Sequence, residues 1–294
     1  MKSGEVVETA KADDLFRAPQ HPYTRKLMRA TPRMGSSIRE LLPEGTVAQF
    51  PSEKSQAPQA VPPILEVTSL AKTFGETGRT SAYWLPWRAR KKGEKDAAPV
   101  VRAVDDISFS VPRGGSIGLV GESGCGKSTT SAMVMRLLDP TSGSIKLDGV
   151  ELGQIPVRAF ARSEHRSKLQ MVFQDPTDSL NPRFTARRAI ADPLLRLSTP
   201  LKRGQLDERI EVLATKVGLP LDLLDRFPHQ LSGGQKARVG IARAIALDPL
   251  LLILDEPTAA LDVSVQAIVL NLLHDLRNEL GMSYLFVSHD LNVV

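Results

Sequence analysis

The stretch from Gly121 to Thr129, GESGCGKST, combines glycines, a lysine and hydroxyl side chains at a spacing suited to binding phosphate. It follows a strand-like run and opens a helix-like one, so its glycines let backbone N–H groups point inward at the positive end of a helix. Lys127 is long enough to reach terminal phosphates, and the Ser128 hydroxyl is suited to Mg²⁺. The pattern predicts a phosphate-binding loop made of Gly121, Glu122, Ser123, Gly124, Cys125, Gly126, Lys127, Ser128 and Thr129, in which Cys125 contributes its backbone N–H.

Two adjacent acids, Asp255 and Glu256, follow the unbroken aliphatic run at 250–254. Such a run predicts a strand buried on both faces, and open α/β sheets bind ligands at the carboxyl ends of their parallel strands. Asp255 is suited to holding the water shell of a magnesium ion, and Glu256 to orienting and deprotonating an attacking water. A buried strand followed by two solvated acids is a common structural feature, and the phosphate loop upstream favours the catalytic interpretation.

Strand-like and helix-like segments alternate along the rest of the chain. Strands are predicted at 65–74, 116–120, 169–173 and 284–287, and a helix at 127–138. Ile268, Leu272, Leu276 and Leu280 recur every four residues before Gly281, which predicts a helix with a glycine C-cap. This alternation indicates an α/β fold with a largely parallel sheet.

The sequence LSGGQ, from Leu231 to Gln235, lies between the phosphate loop and the acidic strand. With this motif, the chain from Ile64 onward resembles the nucleotide-binding subunits of ATP-binding cassette (ABC) transporters. The resemblance implies a P-loop NTPase fold with a mostly parallel sheet, a small antiparallel β part and a helical signature subdomain. It also implies ATP and Mg²⁺ as ligands.

The same resemblance implies a role for residues at each family motif. Lys127, Glu256 and His289, the last in FVSHD, match the catalytic positions, and Phe74 matches an aromatic that stacks on adenine. A core phenylalanine and a capping histidine are the structural alternatives. The other positions implied to contact nucleotide or metal are Gln174, the signature residues Ser232, Gly233, Gly234 and Gln235, and Asp262 for the nucleotide, and Ser128, Gln174 and Asp255 for Mg²⁺.

Composition narrows the class of protein. Of 294 residues, 41% are hydrophobic and 24% charged, as in ordinary globular domains. The single cysteine excludes a disulfide framework and the zinc-binding cysteine clusters of DNA-repair relatives. A net charge of +5 is too small to argue for nucleic acid, and no apolar run approaches the roughly 18 residues of a spanning helix.

The two ends of the chain match different parts of one family branch. FPHQLSGGQ, SLNPR and the basic, aromatic insertion at 75–100 resemble the ATPase subunits of bacterial oligopeptide, dipeptide, nickel or glutathione importers. The HPYT segment near the start resembles the C-terminal extension of those subunits. We therefore expect 1–34 to be the extension of a preceding ABC ATPase domain, 35–63 a Pro/Ser-rich linker, and 64–294 an ATP-binding domain truncated at its C-terminus. A single-domain protein with an N-terminal arm is the alternative, and the arm could fold back onto the domain.

The resemblance implies an ATP-hydrolysing subunit that powers uptake of peptides or similar solutes. Its implied partners are a second ABC ATPase domain, two membrane permease subunits and, indirectly, a solute-binding protein, with no nucleic acid. It would lie at the cytoplasmic face of the inner membrane as a peripheral subunit. The alternatives are an ABC ATPase acting on nucleic acid or ribosomes, and a non-catalytic ATP-binding fragment. The insertion at 75–100 is interpreted either as a lipid-contacting surface or as a solvated loop.

Overall fold

The computed structural model describes residues 4–32, 38–41, 61–75, 100–198 and 202–291. Of the insertion at 75–100, residues 76–99 lie outside these ranges. The elements of the described ranges are, in chain order, α1 (Ala12–Arg17), α2 (Pro22–Ala30), a 3-10 turn (Ile38–Leu41), β1 (Leu65–Phe74), β2 (Val101–Val111), β3 (Ser116–Val120), α3 (Lys127–Val134), β4 (Ser142–Leu147), β5 (Val150–Glu151), α4 (Val157–Phe160), α5 (His165–Lys168), β6 (Leu169–Val172), α6 (Ala186–Leu197), α7 (Arg203–Lys216), α8 (Gly233–Ile245), β7 (Leu251–Asp255), α9 (Val263–Leu280) and β8 (Ser283–Ser288), with two further 3-10 turns at Leu221–Leu223 and Pro228–Gln230.

A four-stranded parallel sheet in the order β3-β8-β7-β6 forms the centre of the fold. Successive side chains of a strand point to opposite faces, and both faces of this sheet are covered. Leu252 and Leu254 of β7 belong to one buried apolar cluster, whereas Leu251 and Ile253 belong to another. The aliphatic run therefore forms a strand buried on both faces, as the sequence predicts.

A four-stranded antiparallel sheet in the order β2-β1-β4-β5 lies on one side of the parallel sheet. Leu65 and Val67 of β1, Met133 of α3 and Ile253 of β7 share one buried cluster. Helix α3 also contacts both β2 and β7. The helix that follows the phosphate loop is thus packed between the two sheets, which fixes its N-terminus.

Helices α6 to α9 cover the opposite face of the parallel sheet. Helix α8 contacts α6, α7, α9 and β6, and its side chains Val239, Ile241 and Ile245 are fully buried. These residues share a cluster with Leu252 and Leu254. The parallel sheet, the antiparallel β part and the helical layer together confirm the predicted fold class.

The region near the N-terminus packs against α9. Helix α2 and the turn Ile38–Leu41 both contact α9, and Ala30 and Leu41 are buried in the helical-layer cluster. This turn lies inside the stretch 35–63, which the sequence predicts to be a linker. The turn packs on the domain because the apolar side chain of Leu41 is buried there. None of the helices in the described ranges is both long and apolar enough to cross a bilayer.

Candidate functional site

The phosphate-binding loop connects β3 to α3. Gly124 and Gly126 have φ angles of 84° and 102°, in a region that L side chains rarely adopt. A Cβ atom at Gly126 would lie 2.3 Å from the carbonyl oxygen of Ala103 in β2. The glycine spacing therefore serves both the curl of the loop and its close approach to the antiparallel sheet.

Lys127, the first residue of α3, reaches back across this loop. Lys127 is only 7% exposed, and its Nζ donates hydrogen bonds to the carbonyl oxygens of Gly121 and Glu122 at 2.7 Å each. Ser128, in the same first turn, is exposed. The loop thus presents a preplaced ammonium group and an accessible hydroxyl beside the positive end of a helix.

The Glu256 side chain contacts two residues that are far from it, or in a separate motif, in the sequence: Gln174 and His289. Gln174 Nε2 donates to Glu256 Oε2 at 3.0 Å, and His289 Nδ1 lies 3.1 Å from Glu256 Oε1. An ionised carboxylate only accepts hydrogen bonds, so Nδ1 of His289 carries the hydrogen in this contact. Both carboxylate oxygens are therefore engaged, and the imidazole Nε2 remains directed away from Glu256.

The backbone at Glu256 is also held in a particular conformation. Its φ angle is 46°, in the left-handed region, and its N–H donates to the carbonyl oxygen of Val287 in β8 at 2.9 Å. A cleft of about 150 Å³ adjoins Glu256, and its lining includes Ser288 and His289. The two neighbouring strands β7 and β8 therefore place the acid and the histidine at one edge of the sheet.

Asp255 ends β7 and is partly buried. Burial raises the pKa of its carboxyl group, the neighbouring negative charge of Glu256 raises it further, and Lys127 opposes both effects. Asp255 and Glu256 thus place two negative charges side by side, and the attraction of Lys127 acts on Asp255. A divalent cation would relieve that charge, so the donor set of Asp255, Gln174 and Ser128 fits Mg²⁺.

The signature motif forms the N-terminus of α8. Ser232 is the N-cap, and its hydroxyl accepts from Gln235 N at 3.3 Å while Gln235 Oε1 accepts from Ser232 N at 2.9 Å. A Cβ atom at Gly233 would lie 3.5 Å from Leu261, and one at Gly234 would lie 2.7 Å from Val265. The signature loop is therefore packed against the loop and first turn of α9, where Asp262 is the N-cap.

Phe74 ends β1 and is 43% exposed, with the Lys72 ammonium group 5.2 Å from its ring centre. It pairs with Val101 of β2, and Ala103, which contacts Gly126, lies about 7 Å further along that strand. Phe74 is thus a surface aromatic beside the phosphate loop and does not belong to the core. Its stacking on a base stays a prediction.

Some contacts of the site involve residues that the sequence motifs do not mark. Ala103 and Val265 set the need for glycine at positions 126 and 234, and Val287 holds the Glu256 backbone. These are ordinary apolar residues inside a strand or helix, so no local pattern distinguishes them. Only the packing of distant elements assigns them a role.

A family model described as ABC transporter matches residues 104–259, which is more than half of the chain. The chain belongs to the ABC transporter family. A second model, described as the oligopeptide/dipeptide transporter C-terminal region, matches residues 7–54 and therefore precedes the ABC match in this chain.

Two relatives are named as a glutathione import ATP-binding protein and an oligopeptide transport ATP-binding protein. The chain is 38% identical over 306 residues to the glutathione import ATP-binding protein of Pectobacterium atrosepticum, covering 100% of this chain and 46% of the relative. It is 47% identical over 194 residues to an oligopeptide transport ATP-binding protein of Bacillus subtilis, covering 66% of this chain and 58% of the relative. The chain thus spans about half the length of the curated relatives it matches.

A solved ATP-binding cassette has the same fold. It is a dimer in a post-hydrolysis state bound to ADP and Pi, matched with a TM-score of 0.62 and 28% identity, over 78% of this chain and 89% of that chain. The P-loop ABC ATPase architecture predicted from the sequence is therefore confirmed.

Proposed function

We propose that this chain binds Mg·ATP and hydrolyses it as the ATPase unit of an ABC importer for peptides or similar small solutes. The observation that carries the proposal is the meeting of Gln174, Glu256 and His289 at the carboxyl ends of β7 and β8. Two side chains from separate motifs, Gln174 and His289, contact the Glu256 carboxylate, and the positive charge of Lys127 acts on the adjacent Asp255. A purely structural use of the strand ends would not require this convergence.

The phosphate loop is the proposed binding site for the terminal phosphates of ATP. Lys127 would exchange its contacts with two carbonyl oxygens for phosphate oxygens, and Ser128, Asp255 and Gln174 would hold Mg²⁺. When bound, the ion neutralises charge on the phosphates. Phe74 is proposed to stack on adenine because it is exposed at the end of β1.

Glu256 is the proposed general base for hydrolysis. As the oxygen of a water molecule bonds to the γ-phosphorus, Glu256 takes its proton and the bond to the bridging oxygen breaks, which releases ADP. The backbone of β8 and the side chains of Gln174 and His289 orient the carboxylate before reaction. His289 is proposed to contact the γ-phosphate through its other ring nitrogen.

A complete site is proposed to need a second ATPase domain. Ser232, Gly233, Gly234 and Gln235 would contact ATP held by the phosphate loop of that domain, with Asp262 beside them. The dimeric form of the solved cassette supports this proposal. The order of the two family matches, with the C-terminal-region model at 7–54 before the ABC model, supports a tandem arrangement of a preceding domain, linker and ATP-binding domain.

The transport partners are proposed from the names of the relatives. The names glutathione import and oligopeptide transport ATP-binding protein support a role in solute transport, and for that role we propose a pair of membrane permease subunits and, indirectly, a solute-binding protein as partners. The chain would then work as a peripheral subunit at the cytoplasmic face of the inner membrane. No nucleic-acid partner is part of the proposal.

The deciding experiment is calorimetric titration of the purified chain with ATP, with and without Mg²⁺. We expect magnesium-dependent binding that Lys127→Ala weakens by at least about tenfold, because a buried charge-assisted phosphate contact is worth about 1.5–3 kcal/mol. Lys146→Ala, which removes an exposed lysine of β4, is the matched control and should bind normally. Equal affinity in the wild type and Lys127→Ala, or no binding in either, would contradict the proposal.

A further inference from the structure

Residues 4–32 and 38–41, here called the N-terminal segment, cover one face of α9. Both α2 and the turn Ile38–Leu41 contact this helix. Ala30 and Leu41 are 1% and 4% exposed and share a cluster with Leu270 and Leu273 of α9. The later part of the segment, α2 and the turn Ile38–Leu41, therefore contributes two side chains to the buried core of the helical layer.

An ion pair links the polar side of this contact. Arg39 Nη1 donates to Asp275 Oδ2 at 3.2 Å, and Arg39 Nη2 donates to Asp275 Oδ1. The Asp275 side chain is only 6% exposed. Removing the cation from a buried carboxylate is costly in free energy, so this bidentate contact couples α9 to the segment.

Helix α9 leads from this ion pair to the signature loop. At a rise of about 1.5 Å per residue, Asp275 lies about 20 Å along the helix from its N-cap, Asp262. At that end Leu261 and Val265 face Gly233 and Gly234. The residues between Glu256 and the helix, 257–262, are thus fixed at one end by the acidic strand and at the other by α9.

We propose that the N-terminal segment is a positioning element for α9 and that Arg39 and Asp275 are its positioning residues. The Arg39–Asp275 pair fixes α9 in place, and α9 in turn keeps residues 257–262 packed against the signature loop. Release of the segment lets α9 shift and loosens that contact. The structural part of this inference stands without the proposed function, and only its effect on turnover rests on it.

Amide hydrogen exchange of the full chain without nucleotide tests the structural part. In Arg39→Glu we expect exchange at least about tenfold faster in the N-terminal segment and in 257–262, since the pair is replaced by two repelling acids. The charge-swapped double variant Arg39→Glu/Asp275→Arg should return both regions towards wild-type rates. Arg113→Glu, which breaks the more exposed pair with Asp148, is the control and should leave both regions unchanged.

Arg39→Lys keeps the positive charge but offers a single ammonium group, so we expect a smaller increase in amide exchange than in Arg39→Glu. This variant keeps the test valid if variants at Asp275 fail to fold. In turnover assays we expect Arg39→Glu to lower kcat at least about threefold with KM for ATP unchanged, because the phosphate loop is not on α9. A general loss of structure would instead raise exchange throughout the chain.

If amide exchange in the N-terminal segment is unchanged in Arg39→Glu, the Arg39–Asp275 pair does not hold the segment on α9 and the proposal is overturned. Faster exchange of the segment with 257–262 unchanged, or exchange raised equally in all regions, overturns the positioning role. Absence of ATP binding in the wild type counts against the proposed function alone, since the exchange readout needs no nucleotide.

Discussion

Glu256 holds a backbone conformation that few residues with a side chain adopt. Its φ angle of 46° costs on the order of 1–3 kcal/mol, and the hydrogen bond to Val287 helps to maintain it. Its carboxylate is engaged on both sides by Gln174 and His289. A strained backbone and an oriented carboxylate at one residue fit a group that has to act on a small molecule at a defined place.

Replacing Glu256 with glutamine tests its assignment as the base. Glu256→Gln keeps the size of the side chain and removes the proton acceptor, so we expect hydrolysis to fall about a hundredfold or more while ATP affinity is kept. Single-turnover phosphate release and equilibrium binding measure the two quantities. Glu208→Gln, on the exposed side of α7, is the control. Wild-type turnover in Glu256→Gln would rule out this role.

Because the pKa of Asp255 is raised, we expect the neutral variant Asp255→Asn to be more stable to unfolding than the wild type, by an amount that depends on pH. An acid whose folded-state pKa is raised stabilises the fold below its unfolded pKa and loses that contribution as pH rises through the folded pKa. At pH 7 without Mg²⁺, the ionised Asp255 carboxylate therefore destabilises the folded state. We therefore expect Asp255→Asn to raise the Tm at pH 7 in the absence of Mg²⁺.

Thermal melts at pH 7 and at pH 4 test this sign. The gain from Asp255→Asn should shrink at the lower pH, and added Mg·ATP should stabilise the wild type more than the variant. The exposed Asp222→Asn serves as the control for removing a carboxylate elsewhere. A lower Tm for Asp255→Asn at pH 7 would contradict the electrostatic account.

At the scale of elements, the contact between the start of α8 and the start of α9 is set by two glycines. Both lie in the first turn of α8, yet their surroundings differ. An added methyl group at Gly234 would lie 2.7 Å from Val265 Cγ1, whereas one at Gly233 would make an ordinary contact of 3.5 Å with Leu261. The same substitution at adjacent positions therefore separates steric effects from helix propensity.

We expect Gly234→Ala to destabilise the fold by about 1–3 kcal/mol, since the stiff valine side chain has to move. Gly233→Ala is the matched control, and we expect it to be neutral or stabilising by up to about 1 kcal/mol. Urea unfolding measures both free energies. In Gly234→Ala/Val265→Ala the overlap should disappear, and equal stability of the two single variants would refute the packing argument.

At the scale of the whole molecule, the chain carries one phosphate loop and one signature loop. The signature loop packs on the start of α9, whereas the phosphate loop leads into α3, which packs between the two sheets. The proposed composite site joins each loop to the opposite loop of a second domain. Turnover by the chain alone then depends on its meeting another copy.

We therefore expect the monomer to bind Mg·ATP and hydrolyse it poorly, with specific activity that rises with protein concentration. Mixing Lys127→Ala with Ser232→Ala should restore part of the activity that each lacks alone, because a mixed pair contains one site with both loops intact. ATPase activity that does not depend on protein concentration in a verified monomer would contradict the composite site. So would the absence of any recovered activity when the two variants are shown to associate with each other.

Local patterns in the sequence determined the phosphate loop, the buried strand before Asp255 and the helix that ends at Gly281, whose φ angle is 65°. Each depends on residues close together in the chain: glycine spacing, an aliphatic run or a four-residue repeat. The helix after the loop was expected to reach Leu138 and ends at Val134. There Arg136 turns with a φ angle of 54°, and its buried guanidinium binds Asp139 at 2.6 Å.

Tertiary structure alone decided which distant groups meet. Gln174 and Glu256 are 82 residues apart and Arg39 and Asp275 are 236 apart, yet each pair is joined by hydrogen bonds. A periodic pattern shows which face of an element is apolar, but the partner of a polar side chain depends on how sheets and helices pack over it. Motif residues were therefore identifiable from the sequence, whereas the orientation of Glu256 and the support of α9 follow from the packed fold.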